Sequence, residues 1–152
     1  DAAGIVADHG PTELVVVALP PSGRPVGTLA TEVLADLLDD TVSAAFAVAR
    51  AAASGAGPRR IVIGGPACAA MADHRDGVRS VAGAGLAMLV EIASATDGLT
   101  ANLVAIADDV PASAVADAVD FALAQAALNG ATIRLDGGRD AVLAADTRAE
   151  GD

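Results

Sequence analysis

Arg60-Ile-Val-Ile-Gly64, broken by Gly65-Pro66, and Thr100-Ala-Asn-Leu-Val-Ala-Ile106 decide the fold. Both are short apolar runs rich in β-branched residues, with little polar alternation. Strands of that kind are buried on both faces, as in a parallel sheet covered by helices. Between them, Gly77 to about Ala95 places Val78, Val81, Ala82, Gly85, Leu86, Leu89, Val90 and Ala93 on an apolar side and reads as a long helix. Upstream, Glu13-Leu-Val-Val-Val-Ala-Leu19 reads as another buried strand, ended by Pro20-Pro21. A second long helix follows, capped by Thr28 or Thr31 and running to about Ala53, where Ser54-Gly-Ala-Gly-Pro58 stops it. Downstream, Pro111-Ala-Ser113 opens a helix to about Ala127, with Ser113 or Asp109 as the cap. Ala131-Thr-Ile-Arg-Leu135 is a fourth strand. Strands alternating with helices mean βαβ units. The expected fold is α/β: a truncated Rossmann-like parallel sheet of at least four strands with helices on both faces. Residues 1–152 are read as a single domain, with 1–12 and 148–152 loose.

The composition narrows the function. Of 152 residues, 53% are hydrophobic, nearly all of them small aliphatics, so a core can form but aromatic stacking on bases or sugars cannot. The net charge is −11; there is no Lys, and the nine Arg are scattered. Nucleic acid and anionic membranes are poor partners for such a surface. Cys68 stands alone, which excludes an internal disulfide and fits a reducing compartment. No apolar run is read as long enough to span a bilayer, and a cytoplasmic protein is expected.

Several stretches, in order, resemble the short-chain dehydrogenase/reductase family in its ketoacyl-reductase-like branch. Thr41-Val-Ser-Ala-Ala-Phe46-Ala-Val-Ala-Arg50 stands where that family has N-L-x-G-x-F-x-V-x-R. Ala84-Gly85-Leu86 resembles its K-A-G-L segment, and Asn102-Leu-Val-Ala105 its V-N-x-V-x-P-G. Val115-Ala116 with Phe121-Ala-Leu123 resembles V-A-x-x-V-x-F-L-x-S, and Asn129-Gly130 with Leu135-Asp136-Gly137-Gly138 resembles the I-T-G and V-D-G-G ending. The resemblance spans roughly Glu13 to Gly138.

The resemblance implies an NAD(P)-dependent oxidoreductase, but its working positions are altered. The catalytic Ser falls on Pro66 (Gly65 if the register slips by one), the Tyr on Arg79, the Lys on Gly83, and the proton-relaying Asn on Thr41. Proton transfer to a carbonyl oxygen needs a titratable group within hydrogen-bond reach. Pro, Gly and Thr do not supply one, Arg stays protonated, and the chain has no Tyr or Lys anywhere. No glycine-rich dinucleotide loop precedes Leu14. The P-G that contacts nicotinamide is Ile106-Ala107, and the substrate lid has shrunk to Asp108-Asp109-Val110. Neither a cofactor nor a metal is therefore expected.

What the resemblance keeps is assembly, because it implies that the two long helices pair with those of a neighbour. The interface candidates are Phe46, Arg50, Ala82, Gly85, Leu86 and Leu89. The resulting expectation is a non-catalytic pseudo-ketoreductase subunit in a homo- or hetero-oligomer, preferably with an active reductase, in fatty-acyl or polyketide metabolism. The other class is an NAD(P)-independent enzyme or acyl-thioester-binding module using the loop 73–79, with His74 and Arg79. Asp73, His74, Arg75 and Asp76 otherwise read as a solvated loop, and Asp8 and His9 as part of a loose end. Gly64-Gly65-Pro66 reads as a strand-ending turn, Cys68 as an unactivated thiol, and Asp39-Asp40 as a wet helix face.

Overall fold

The computed structural model describes residues 6–8, 13–17, 30–55, 57–67 and 77–137. They form a five-stranded sheet in the order β1 (Val6–Asp8), β2 (Glu13–Val17), β3 (Arg60–Pro66), β4 (Thr100–Ile106) and β5 (Thr132–Leu135). The strands β2 to β5 are parallel, and the continuous apolar runs of β3 and β4 are buried along nearly their whole length. The strand β1 is antiparallel to β2, pairing Val6 with Val16 and Asp8 with Leu14. It lies inside the N-terminal segment expected to be loose, and it covers an edge that would otherwise offer open backbone groups to other chains.

The helices are α1 (Thr31–Leu38), α2 (Ala44–Ala53), α3 (Gly77–Ser94) and α4 (Ala112–Ala124). Alternation along the strands makes two cores. Ile61, Ile63, Ala101 and Leu103 face α2 and α3, where they meet Ala45, Leu86 and Val90. Val62, Val104 and Ile106 face α4, where they meet Val119, Ala122 and Leu123. Gly65 lets α3 come this close to β3, because a Cβ there would stand 2.8 Å from Leu86 Cδ1.

Five local expectations are corrected. The first long helix is not continuous: a π-turn at Asp39–Ser43 separates α1 from α2. Its N-cap is Ala30, with no side-chain cap, so Thr31 is inside the helix; Thr28 lies outside the described residues. Pro111, not Ser113 or Asp109, is the N-cap of α4, its extended backbone (ψ 145°) leading directly into the helix. The helix α4 ends at Ala124, since Gln125 has left the helical region at ψ 92°. Finally, α3 is, among the described residues, a helix long and apolar enough to cross a membrane. Arg79 and Glu91 interrupt its apolar runs without lowering their average much, and half of it is buried on the sheet, as in a core helix.

Candidate functional site

In open α/β sheets, ligands bind beyond the carboxyl ends of the strands. Here the described residues at that end are tied to one another. Pro66 ends β3 fully buried, paired in register with Ile106 of β4. Arg79, in the first turn of α3, is only 6% exposed. The wide apolar arc of α3 carries it onto the sheet, and its Nη1 donates to the carboxylate of Asp108 just past β4. Gly83, one turn on, is also buried. A second arginine ties the far side: Arg134 Nη2 donates to Ala67 O at 3.1 Å, and its Nε lies 3.4 Å from Asp136 Oδ2. Two arginines thus join the loop ends of three strands.

Thr41 sits in the π-turn, buried, and its hydroxyl donates to Leu37 O at 2.7 Å. That hydrogen bond runs within its own helix and reaches no group at the strand ends. Asn102 is fully buried and has a structural task. Its Nδ2 donates to Leu128 O at 3.1 Å, while its Oδ1 accepts from Ala131 N at 3.0 Å. Asn129 answers from the loop: its Oδ1 accepts from Ala101 N, and its Nδ2 donates to Ser94 O. The two asparagines lock the turn between α4 and β5 onto β4.

A second region is built on the outer face of α2 and α3. Phe46, Met88 and Ile92 are 54%, 56% and 62% exposed, and with Val42, Ser43 and Gly85 they border an apolar groove of about 310 Å³. The structure divides the expected interface residues. Phe46 and Arg50 are exposed, and Gly85 lines the groove. Ala82 and Leu86 are fully buried under α3, and Leu89 is 7% exposed in the same core. Their helical phase points them at this chain's own sheet, so the outward stripe of α3 is Val81, Gly85, Met88 and Ile92. His9, Cys68 and the loop 73–76 lie outside the described residues, as do the side chain of Asp8 and Gly138. Gly64-Gly65-Pro66 belongs to β3 and forms no loop that could cradle a phosphate. Asp39 and Asp40 are exposed, as expected of a wet face. Among the described residues no three His, Cys, Asp or Glu side chains come together.

No protein-family model matches the chain, and no curated protein is significantly similar to it in sequence. Solved structures are similar in fold. A small-chain dehydrogenase superposes with a TM-score of 0.74 at 19% identity, over 84% of this chain and 68% of the other. An apo SCOR enzyme from Clostridium thermocellum gives 0.65 at 18% identity, and a dehydrogenase from Burkholderia cenocepacia with bound NADP gives 0.68 at 15%. The last two are covered to 61% of their lengths, so this chain spans less than two thirds of either. The chain has a short-chain-dehydrogenase-like fold. At these identities the likeness concerns the fold alone.

Within the short-chain-dehydrogenase-like frame, Arg79 and Asp108 are the pair that sequence reasoning missed. They are 29 positions apart, and nothing local links a helix start to a strand end. Losing one partner of a wholly buried pair costs about 3–5 kcal/mol. Asp108 keeps 59% of its side chain in water, which lowers the figure. Asp108→Asn is expected to cost about 1–3 kcal/mol, read as a lower urea midpoint at unchanged slope. No change in the midpoint would mean that the pair contributes nothing.

Proposed function

We propose that this chain is a non-catalytic, short-chain-dehydrogenase-like subunit that assembles with an active reductase and supports it. The observation that carries the reading is the state of Arg79. It stands where the resemblance places the proton-transferring Tyr, buried, with its guanidinium engaged by Asp108. Pro66 and Gly83 occupy the other two working positions, and neither side chain can take up or release a proton. The branch of the resemblance directs the assay to 3-oxoacyl thioesters, the substrates of fatty-acyl and polyketide assembly. The described geometry does not favour an acyl-thioester grip by the loop 73–79, because Arg79 is committed elsewhere.

Two surfaces are available for assembly. One is the α2–α3 groove; the other is the α4 side, where Phe121 is 52% exposed. The test is calorimetry with NADPH, together with NADPH-dependent reduction of a 3-oxoacyl thioester. Each is run on the chain alone and with a reductase encoded beside it. The chain alone is expected to give neither binding heat nor turnover, and to raise the activity or stability of the reductase. Micromolar NADPH affinity, or reduction by the isolated chain, would overturn the proposal.

A further inference from the structure

Asn129-Gly130 lies in the turn between α4 and β5, and the fold selects both residues. Gly130 has φ 74°, which a residue with a Cβ rarely adopts. A Cβ there would also stand 2.9 Å from Ser94 Oγ, itself held on Glu91 O. Asn129 supplies an acceptor and a donor together: Oδ1 accepts from Ala101 N at 3.0 Å, and Nδ2 donates to Ser94 O at 2.8 Å. The pair chosen in this way is chemically vulnerable. An asparagine side chain is open to attack by the next main-chain nitrogen, and glycine puts no side chain in the way. The chain has one other asparagine, Asn102, and the bulkier Leu103 follows it.

The turn clamps every group that would react. The attacking nitrogen, Gly130 N, donates to Ala101 O at 2.8 Å. The carbon under attack, Asn129 Cγ, is held through Oδ1 on the amide of the same residue. Ala101 is fully buried in β4, so this anchor does not move with the turn. The leaving nitrogen, Nδ2, is held on Ser94 O. Asn129 and Gly130 are both exposed, so water has access to them. Three hydrogen bonds, and not the exclusion of water, restrain the reaction.

We infer that Asn129 is a self-modification site, a one-way switch that reacts from the opened turn. With the turn open, Gly130 N gives its proton to hydroxide or water and bonds to Asn129 Cγ. The Cγ–Nδ2 bond breaks, and Nδ2 leaves as ammonia with a proton from water. A second water then opens the cyclic imide. If the new bond to Cγ is cleaved, Asp stands at 129; if the bond to the main-chain carbonyl carbon is cleaved, isoaspartate does. No electrons are gained or lost. Neither product closes the latch again. Asp sets a carboxylate oxygen against Ser94 O, and both are acceptors. Isoaspartate adds one carbon to the main chain before Gly130. Gly130 N and Ala131 N then cannot both keep their partners, Ala101 O and Asn102 Oδ1. The switch works whether or not the chain assembles with a reductase.

The test is incubation of the full chain in warm, mildly alkaline buffer, with and without denaturing urea. Peptide mapping by mass spectrometry follows the exchange of ammonia for water at Asn129. The folded chain is expected to react about a hundredfold more slowly than the chain in urea, since three hydrogen bonds must open first. Asn102→Ala removes the two bonds that hold the turn from its other side, and should react about tenfold faster than the wild type while folded by circular dichroism. If that variant does not fold, the wild type in urea below its midpoint replaces it, and reaction at Asn129 should rise in step with amide exchange at Gly130. The modified chain, once isolated, should exchange its Ala131 amide faster than the unmodified one, with β3 unchanged. A folded chain that reacts as fast as the chain in urea overturns the inference, as does a chain that stays unmodified in urea. So does a rate that ignores the opening of the turn, or a modified chain whose Ala131 amide is as protected as before.

Discussion

Asn102→Leu is expected to lower the stability of the chain by about 2–4 kcal/mol, because it leaves two partly buried backbone groups without partners, each worth up to about 1–3 kcal/mol. Those groups are the Leu128 carbonyl and the Ala131 amide, both now satisfied by a side chain with no exposure to water. Leu is larger than Asn, so crowding at this fully buried position adds to the loss of the two hydrogen bonds. The damage should be local first. Amide exchange at Ala131 should quicken ahead of exchange in β3, because the turn between α4 and β5 is held from one side by Asn102 and from the other by Asn129. Asn102→Asp, which keeps the acceptor for Ala131 but loses the donor to Leu128, tests the two bonds separately. Chemical denaturation with an unchanged midpoint in Asn102→Leu would show that the latch contributes nothing to folding.

Gly65→Val, the second large effect, acts through overpacking. A Cβ at that position would stand 2.8 Å from Leu86 Cδ1 and 3.5 Å from Leu103 Cδ1, and neither leucine has space to retreat to, being 0% and 1% exposed. The cost of such crowding is about 1–3 kcal/mol. Leu86→Ala removes the obstructing atoms and by itself costs about 2–5 kcal/mol through the cavity it opens. In the double variant Gly65→Val/Leu86→Ala the added methyls enter that cavity. Its loss should fall short of the two single losses added together by about 0.5–3 kcal/mol. Strict additivity in thermal or urea unfolding would mean that α3 does not rest on β3 at this point.

Much of this was legible in the chain itself. The central parallel strands β3 and β4 follow from continuous apolar runs, since residues buried on both faces leave no polar alternation. The absence of Tyr and Lys is equally direct: a chain without either cannot present one, whatever its fold. Asn102 was singled out only by resemblance; its partners Leu128 and Ala131 needed the turn to be in place. The π-turn at Asp39–Ser43 has no signal in Asp-Asp-Thr-Val-Ser, because an extra residue in a helical turn disturbs the apolar period too little to be seen.

The outward face of α3 was ambiguous for a different reason. Ala82, Leu86 and Leu89 make one apolar arc, and Val81, Met88 and Ile92 make another. A periodic pattern says that two faces are apolar without saying which one meets the sheet. Sequence by itself therefore determined the parallel strands and the absence of Tyr and Lys, all properties of local composition and order. Tertiary structure alone decided that β1 covers the edge of β2, that Arg79 lies inside against Asp108, and that Phe46, Met88 and Ile92 face outward. Each of these depends on contacts between segments distant in sequence, and the packing of a helix on its sheet, not its own periodicity, chooses the face that is left to solvent.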